Sequence, residues 1–324
     1  MRIMLAGGAG YIGSVLSKHL SERGYSVESV DLCWFKPQAG DLSDVRKKEL
    51  FDITEEDCSG FDQIVFLAGL SNDPMAEISP SLNFIYNAAL PAYLAYVGKR
   101  AGVKRFIYAS SCSVYGYSAN EAFDENGPAV CGYPYGISKL QGERGVLYFA
   151  DDDFSVIALR QGTVGGYSPR MRFDLVVNAM YRTAITEGVI NVDNPSIWRP
   201  LLDVRDAAQG FTRAIQAPQE VGGIFNIAVG NYLVGQIGDI VKDTVEELTG
   251  REIKLNINNR QDYRNYKVEA GKAREVIGFM PRFDVADMVR SIHRHHDELI
   301  PMDRADFFNA RVFSKMRFDI KQRS

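Results

Sequence analysis

The stretch AGGAGYIG, at residues 6–13, places four glycines directly after a short apolar run, and three of them, Gly7, Gly10 and Gly13, are spaced three residues apart. That run, residues 2–6, has the length and composition of a buried strand. Gly7 permits a tight turn, Gly10 lets the backbone approach a pyrophosphate, and Gly13 lets the following helix pack closely on the strand. The pattern therefore predicts a strand–turn–helix unit whose free N–H groups favour an anion.

The residues after this turn indicate which dinucleotide it binds. A helical stretch covers residues 12–23, and a second strand candidate, SVESVD, ends at Asp31. Asp31 lies 18 residues beyond Gly13, where a carboxylate can bond the adenosine ribose hydroxyls and repel a 2′-phosphate. The sequence thus predicts NAD rather than NADP as the cofactor. Asp52, near the end of a third strand candidate, is a candidate either for contacting the adenine amino group or for capping a helix.

Apolar strands alternate with helical patterns through the first half of the chain. This alternation predicts an α/β fold of the Rossmann type, a doubly wound parallel sheet with helices on both faces. The pattern loosens after Gly165. We expect residues 1–165, with 200–230 returning to them, to form the dinucleotide-binding domain, and residues 166–199 and 231–324 to form a smaller C-terminal substrate domain. The remaining predicted strands are 49–54, 62–69, 104–111, 154–160 and 224–229, and the remaining predicted helices are 80–102, 135–150 and 236–249.

The composition argues against several classes of protein. The 324 residues are 46% hydrophobic and 24% charged, which is ordinary for a globular protein. A net charge of −4 gives no basic footprint for nucleic acid. Four cysteines without a CxxC pair, and a run HRHH (293–296) without an acidic ligand pattern, predict neither disulfides nor a metal site. The chain shows no signal peptide and no apolar run of ~20 residues, so we expect a cytoplasmic protein without a membrane partner.

Two tyrosine–lysine pairs, each four residues apart, are candidates for acid–base chemistry. Tyr135 and Lys139 lie at the start of a predicted helix, so they share one face. The strand before them ends in a serine cluster that includes Ser111, and parallel strands deliver site residues at their carboxyl ends, where the glycine turn also lies. Tyr263 and Lys267 follow no such strand. The first pair is therefore the predicted site, and the second is a chance match.

Three motifs together make the chain resemble a known family. In their order and spacing, GGAGYIG (7–13), SSCSVYG (110–116) and YGISK (135–139) are similar to motifs of the extended short-chain dehydrogenase/reductases. The branch in question is the NAD-dependent epimerase/dehydratase family, which acts on nucleotide-activated sugars. The resemblance covers roughly residues 1–285.

The resemblance implies roles for individual residues. Ser111 is the expected catalytic serine, Tyr135 the general acid/base, and Lys139 its partner. The residues expected to bind NAD are Gly7, Gly10, Tyr11, Ile12, Gly13, Asp31, Asp52, Ile53, Leu67, Ala68, Gly69, Asn87, Tyr135 and Lys139.

A tyrosine works as a base near pH 7 only if its pKa falls well below the ordinary value near 10. A shift of about three units corresponds to ~4 kcal/mol, which one ammonium ~4 Å away supplies at an effective dielectric of ~20. We expect Lys139 and the positive nicotinamide ring of bound NAD⁺ to lower the pKa of Tyr135 together.

The same resemblance implies a nucleotide-diphosphate sugar as the partner. Arg199 is expected to pair with the diphosphate, because a planar guanidinium suits two phosphate oxygens. Thr163 stands where relatives usually carry asparagine. The full set of expected substrate-binding residues is Ser111, Thr163, Asn178, Arg199, Asp262 and Arg264.

The residues after Ser111 bear on which reaction is catalysed. Sugar 4,6-dehydratases that resemble this chain carry an acidic pair there, whereas this chain has Cys112 and Ser113. By analogy with relatives that share the SVYG motif, we expect an NAD-dependent nucleotide-sugar epimerase that oxidises C4 and reduces it again on tightly bound NAD. The alternatives are a 4-dehydrogenase that releases the 4-keto sugar, a 4,6-dehydratase, and a non-catalytic NAD-binding sensor.

The resemblance also implies a homodimer. In such relatives, helices equivalent to 80–102 and 135–150 pair across a two-fold axis. Here both segments carry more apolar residues than one sheet face needs, which favours an isologous interface.

Overall fold

A parallel sheet of seven strands forms the centre of the protein. The computed structural model describes residues 1–35, 45–259 and 264–321. The order across the sheet is β3–β2–β1–β4–β5–β7–β11, and each neighbouring pair is parallel, as predicted for a Rossmann-type sheet. The strands of the protein are β1 (Arg2–Ala6), β2 (Ser26–Asp31), β3 (Val45–Lys47), β4 (Gln63–Phe66), β5 (Arg105–Ser111), β6 (Tyr117–Phe123), β7 (Ser155–Gln161), β8 (Thr163–Gly165), β9 (Val189–Asp193), β10 (Trp198–Asp203), β11 (Gly223–Ile227), β12 (Gly230–Leu233), β13 (Lys254–Asn258) and β14 (Asn265–Val268).

Helices cover both faces of this sheet. Along β1, Ile3 and Leu5 pack on one face with α1 (Tyr11–Ser21) and α8 (Val204–Gln216), whereas Met4 and Ala6 pack on the other with α5 (Leu90–Arg100) and α6 (Pro134–Leu147). Burial on both faces explains why the central strands are continuous apolar runs. The helices are α1 (Tyr11–Ser21), α2 (Glu55–Cys58), α3 (Asp73–Ile78), α4 (Pro80–Phe84), α5 (Leu90–Arg100), α6 (Pro134–Leu147), α7 (Val176–Glu187), α8 (Val204–Gln216), α9 (Val234–Thr249), α10 (Gly271–Ile277), α11 (Val285–His293) and α12 (Asn309–Lys321).

A further apolar cluster lies among the elements that follow β8. It is built by α7, α9 and α11, with Tyr181, Val241 and Met288 among its buried members. Three small sheets accompany it, in the orders β12–β10–β8, β13–β9 and β14–β6. Tyr11 of the glycine turn also belongs to this cluster, so the cluster packs directly against the start of α1.

Residues 49–54 were predicted to form a strand, and that prediction was wrong. The chain makes a short 3₁₀ turn at Leu50–Asp52, and the third strand of the sheet is β3 instead. Leu50 and Ile53 are both buried. Their spacing of three residues suits a helical turn better than the two-residue repeat of a strand.

The predicted helix over residues 80–102 is interrupted by a π-helical turn at Ile85–Ala89. The cause lies in Pro91, which has no N–H to give to the carbonyl of Asn87, four residues earlier. The Tyr108 hydroxyl donates to that carbonyl instead, at 2.9 Å. This hydrogen bond from Tyr108 links the helical segment to the centre of β5.

The HRHH segment is packed rather than solvated. Nδ1 of His293 and of His296 lie 3.1 and 3.4 Å from the Tyr181 hydroxyl. The ring of His295 stacks on Tyr167, with the centroids 3.5 Å apart. In the ranges that the structure describes, no group of three or more His, Cys, Asp or Glu is placed to hold a metal ion. No helix in those ranges is long and apolar enough to cross a membrane.

Candidate active site

A cavity of about 900 Å³ lies at the carboxyl ends of β1, β2, β4 and β5, where they meet the residues that follow β8. That volume is large for a ligand pocket, so it can accommodate more than one small molecule. The predicted site residues that line it are Gly7, Gly10, Tyr11, Ile12, Gly13, Asp31, Leu67, Ala68, Gly69, Ser111, Tyr135, Lys139, Thr163, Arg199 and Arg264.

The glycine turn needs its glycines for two separate reasons. Gly7 has a φ of +91°, which side chains with a Cβ rarely adopt, and a Cβ there would lie 2.6 Å from the amide nitrogen of Ala68. A Cβ on Gly13 would lie 2.4 Å from the carbonyl oxygen of Gly7. Either substitution would push the start of α1 away from the sheet.

Asp31 lies beside this turn at the end of β2. Its Oδ2 accepts a hydrogen bond from the amide of Ala9 at 3.1 Å, and its Oδ1 accepts one from the amide of Cys33 at 2.8 Å. Burial raises the pKa of this carboxyl, and the two amide hydrogen bonds oppose the rise. Trp34 and Phe35, which sequence reasoning did not single out, line the cavity close by.

The structure does not bring Asp52 and Ile53 to the cavity. The 3₁₀ turn leaves Asp52 exposed and Ile53 fully buried in the core. Among the described residues, Glu49 and Leu50 line the cavity from this segment instead. The predicted contact of Asp52 with adenine depended on a strand that does not form.

Asn87 was predicted to bind the cofactor, but it lies one layer behind the cavity wall. It is fully buried, and its Nδ2 donates to the carbonyl of Leu70 at 2.9 Å and to Asn83 at 2.8 Å. A Cβ on Gly69 would lie 2.1 Å from its Oδ1. Asn87 therefore supports the wall formed by Gly69 and is not itself among the described lining residues.

The hydroxyls of the serine cluster at the end of β5 have different partners. Ser110 donates to Glu143 at 2.7 Å, so its hydroxyl is directed into the core. Ser111 caps the next turn by accepting from the amide of Ser113 at 3.2 Å, and it also accepts from the Ser113 hydroxyl at 2.9 Å. The Ser111 side chain also acts on the phenol of Tyr135 and lowers its pKa.

Tyr135 and Lys139 lie on one face of α6, one turn apart, and both line the cavity. Burial raises the pKa of Tyr135 to about 12, and the Ser111 side chain opposes the rise. Burial also lowers the pKa of Lys139 to about 7, and its Nζ donates to the carbonyl of Ala109 at 2.8 Å. The expected lowering of the Tyr135 pKa is thus not found in the chain alone, because burial outweighs the opposing effects of Ser111 and Arg172.

Paired charges also line the cavity. Arg264 donates to Asp73 at 2.7 Å, and Arg172 donates to Asp174 at 2.8 Å. Asp174 also accepts from Nδ2 of Asn72 at 3.0 Å. These acidic partners were not predicted: Asp73 lies 191 residues from Arg264, and Asp174 lies two residues from Arg172 in a segment where the sequence predicted neither strand nor helix.

Asn178 does not reach the cavity, contrary to its predicted contact with a diphosphate. It is fully buried at the start of α7, where its Oδ1 accepts from the amide of Gly166 at 2.9 Å. Its Nδ2 donates to the Tyr11 hydroxyl at 3.1 Å and to the carbonyl of Arg172 at 2.8 Å. Asn178 therefore joins the glycine turn to the loop after β8.

Asp262 and Tyr263 lie outside the described residues. Of the second tyrosine–lysine pair, the structure therefore describes Lys267. Lys267 lies on β14, with its Nζ 5.2 Å from the centre of the Trp198 ring. Arg199, on the neighbouring strand β10, donates to the carbonyls of Trp198 and Arg264. Arg199 and Arg264 are therefore adjacent in the cavity lining.

The two residues after Ser111 carry no acid or base into the cavity. Cys112 is fully buried, and its Sγ lies 3.2 Å from the carbonyl of Arg160. Burial raises its thiol pKa well above the ordinary value. The hydroxyl of Ser113 is directed to Ser111.

Comparison with known proteins identifies the family. The model of the NAD dependent epimerase/dehydratase family matches residues 3–228, more than half of the chain. The chain belongs to this family. The prediction of an extended short-chain dehydrogenase/reductase is thereby confirmed, as is the prediction that the protein is an NAD-dependent enzyme.

Members of the family that resemble the chain are nucleotide-sugar enzymes. The chain is 25% identical to a UDP-glucose 4-epimerase of Azospirillum brasilense, with 90% of each chain covered. It is 26% identical to UDP-arabinose 4-epimerase 1 of Arabidopsis thaliana, over 86% of this chain and 74% of the other. Among solved structures, MoeE5 in complex with UDP-glucuronic acid and NAD is 25% identical, with a TM-score of 0.78, over 90% of this chain and 97% of the other.

The cavity around the glycine turn fits the cofactor of this family. Gly7 and Gly13 leave the N-terminus of α1 open to a pyrophosphate, whose charge the helix dipole favours. The amide of Ala9 holds the carboxylate of Asp31 against the turn. In that position the carboxylate can accept a hydrogen bond from a ribose hydroxyl.

The preference for NAD over NADP is expected to depend on Asp31. In the wild type we expect NAD to bind at least about 100-fold more tightly, because a 2′-phosphate beside a partly buried carboxylate costs several kcal/mol. Asp31→Asn should narrow this ratio to less than about tenfold. Titration calorimetry at moderate salt measures both ligands, with Asp52→Asn as a control that should leave the ratio unchanged. Equal affinities in the wild type would remove Asp31 from this role.

Proposed function

We propose that this protein is a nucleotide-sugar epimerase that inverts C4 of a UDP-sugar, using Ser111, Tyr135 and Lys139. The observation that carries the proposal is that Ser111, Tyr135 and Lys139 line the same cavity as the glycine turn, with Tyr135 and Lys139 one turn apart on α6. The two curated relatives described above are both 4-epimerases, which supports C4 as the position of reaction.

In the proposed mechanism, the chain moves the proton of the sugar hydroxyl. Bound NAD supplies a hydride acceptor that later returns the hydride. Tyr135 takes the hydroxyl proton as the ketone forms, and Ser111 holds the same oxygen by a hydrogen bond. The ammonium form of Lys139, one helical turn away, favours the phenolate of Tyr135. When the ketone is reduced from its other face, Tyr135 gives the proton back.

Epimerisation, rather than elimination of water, is supported by the residues around the sugar position. Elimination needs an acid and a base besides Tyr135, and the sequence offers Cys112 and Ser113 where dehydratases of this type carry them. Two carboxylates in the cavity lining, Asp73 and Asp174, are each paired with an arginine. An ion-paired carboxylate is a weak base, because the arginine stabilises its charged form.

Substrate binding is proposed for the cavity side formed by Thr163, Arg199 and Arg264. Arg199 and Arg264 are adjacent there, and two guanidinium groups suit the charge of a diphosphate. In this proposal, residues 1–165 and 200–230 act as the domain for NAD, and the rest of the chain acts as the substrate domain. Asp262 stays a candidate for contacting the nucleotide on sequence grounds alone.

The proposed reaction predicts the fate of the hydrogen on C4. With a UDP-sugar deuterated at C4, an epimerase should keep the label in the product, because the hydride leaves and returns on one bound cofactor. Mass spectrometry and proton NMR of the product measure this retention, and NADH should not accumulate in solution. Label found in free NADH together with a 4-keto sugar would indicate a dehydrogenase. A 6-deoxy-4-keto product would indicate a dehydratase and contradict the argument from Cys112 and Ser113.

We also propose an isologous homodimer formed through α5 and α6. Tyr96, within α5, is 48% exposed, and Tyr148, directly after α6, is 84% exposed; both contact the ring of Phe149. Light scattering should give about twice the 36.2 kDa of one chain. Tyr148→Asp should shift the protein to a monomer, whereas Tyr117→Asp, an exposed tyrosine on β6, should not. A wild-type monomer at micromolar concentration would refute the proposal.

A further inference from the structure

Arg170 is a buried cation with most of its guanidinium group unpaired. The residue is 1% exposed and lines the cavity. Its Nη2 donates to Oδ1 of Asn309 at 2.5 Å, whereas its Nε and Nη1 have no hydrogen-bond partner among the described residues. A buried charge without an acceptor is costly, so such a group is retained where a ligand completes it.

The contrast with Arg105 shows how unusual this is within the same chain. Arg105 is equally buried, at 1% exposure, at the amino end of β5. Its guanidinium donates to the carbonyls of Ala217 at 2.6 Å and Pro218 at 2.5 Å, and to Ser155 through Nε at 3.2 Å. Arg105 is thus satisfied by the protein itself, and Arg170 is not.

Arg170 lies in the dinucleotide part of the cavity. Its guanidinium carbon is 4.1 Å from the centre of the Phe35 ring, and the charge of Asp31 acts on it. Its amide donates at 3.2 Å to Ser168, whose hydroxyl lies 3.0 Å from the hydroxyl of Ser14 on α1. The neighbours of Arg170 are therefore the end of β2 and the first turn of α1, the elements that hold NAD in this family.

The C-terminal helix fixes the position of this arginine. Asn309, the first residue of α12, accepts from Arg170 and donates to the Ser71 hydroxyl at 2.7 Å. Further along α12, Phe313 is buried in a cluster with Leu70 and Met75. The helix thus packs against the loop after β4, which forms part of the cofactor side of the cavity.

We propose that Arg170 binds the pyrophosphate of NAD, in addition to the amide groups of the glycine turn, and that Asn309 of α12 positions it for this contact. The ligand chemistry is that of a dinucleotide pyrophosphate, so the inference does not depend on which sugar the enzyme converts. A fork of N–H donors suits two phosphate oxygens. Arg199 and Arg264, which are proposed for the substrate diphosphate, have other partners: Arg199 donates to the carbonyl of Arg264, and Arg264 pairs with Asp73 on α3.

The electrostatics of the cofactor-free chain agree with this assignment. Burial, together with the charge of Arg172, lowers the pKa of Arg170 to about 9. A doubly charged pyrophosphate next to the guanidinium would reverse that shift. Binding of the cofactor should therefore supply the acceptors that the described residues do not give to Nε and Nη1 of Arg170.

The first experiment compares Arg170→Met with Arg105→Met. Titration calorimetry with NAD, ADP-ribose, adenosine and UDP gives the affinities, and thermal unfolding without ligand gives the stability. Arg170→Met should weaken NAD and ADP-ribose by about 10- to 100-fold and leave adenosine and UDP within about twofold. Its melting temperature without ligand should not fall. Arg105→Met should lower the melting temperature and leave the affinity for NAD unchanged.

The second experiment uses Asn309→Ala, which keeps the guanidinium and removes its positioning group. Release of bound NADH, followed by its fluorescence in stopped flow, should become several-fold faster than in the wild type. This variant also tests the proposal if Arg170→Met fails to fold. An NAD affinity of Arg170→Met within about twofold of the wild type would overturn the proposal. So would an equal loss for adenosine and ADP-ribose, or a loss confined to UDP.

Discussion

Replacing Tyr135 with phenylalanine is expected to lower turnover of the nucleotide sugar by about 10³-fold or more, while NAD still binds. General acid–base catalysis contributes about 10²–10⁴-fold, and the phenol oxygen of Tyr135, in the cavity that Ser111 also lines, is the proton acceptor of the proposed mechanism. Phenylalanine keeps the ring and removes only that hydroxyl. Steady-state kinetics with UDP-sugars measure the loss, and titration calorimetry shows whether the cofactor site is intact.

The matched control is Tyr263→Phe, the tyrosine of the second tyrosine–lysine pair. It should retain turnover and at most weaken the affinity for the nucleotide sugar, because no strand end or serine cluster precedes it in the sequence. If Tyr263→Phe were inactive and Tyr135→Phe active, the assignment of the two pairs would be inverted. If both were fully active, the proton would be moved by another group of the cavity.

The elements that the sequence predicted best are those determined by neighbours in the chain. The glycine turn, Asp31 and the Tyr135–Lys139 pair each lie within one strand–turn–helix unit, so their spacing alone places them. A parallel sheet then brings the carboxyl ends of its strands to one edge, which is why Ser111 could be predicted beside them.

Residues whose role depends on distant packing were not predicted. The sequence predicted that Asn178 contacts a diphosphate. In the structure its side chain is buried and donates to the hydroxyl of Tyr11, 167 residues away. The two unpaired donors of Arg170, Nε and Nη1, could not be predicted for the same reason. Asn309, which accepts from its Nη2, lies 139 residues away. Such pairings follow no periodic pattern, so only the assembled fold reveals them.

The pKa of Tyr135 shows the same limit in electrostatics. The sequence places an amine one helical turn away, and a charge at that distance lowers a phenol pKa. The degree of burial, which raises the pKa to about 12, depends on the residues that surround α6. The pKa values of Tyr135 and Lys139 therefore depend on the burial of both side chains, and not only on the distance between them.

Glu143→Gln is expected to lower the free energy of unfolding by about 3–5 kcal/mol, because it leaves Arg160 buried and unpaired. Glu143 lies on the same face of α6 as Tyr135 and Lys139, and its Oε1 accepts from Nη2 of Arg160 at 2.6 Å. Its other oxygen accepts from Nε of Arg160 at 2.9 Å and from Ser110 at 2.7 Å. The side chains are 1% and 4% exposed. Urea unfolding, with the slope compared between variants, measures the loss.

Two comparisons separate this effect from a simple loss of contacts. Glu187→Gln, which removes an exposed partner of Arg182, should change the unfolding free energy by less than about 1 kcal/mol. The double variant Glu143→Met and Arg160→Met should be more stable than Glu143→Gln alone, because no charge is then left without a partner. A double variant less stable than the single one would mean that the Arg160 charge is stabilised mainly by Tyr115, whose hydroxyl accepts from it at 2.8 Å. In that case the ion pair would serve chiefly to hold α6, and with it Tyr135, against the end of β7.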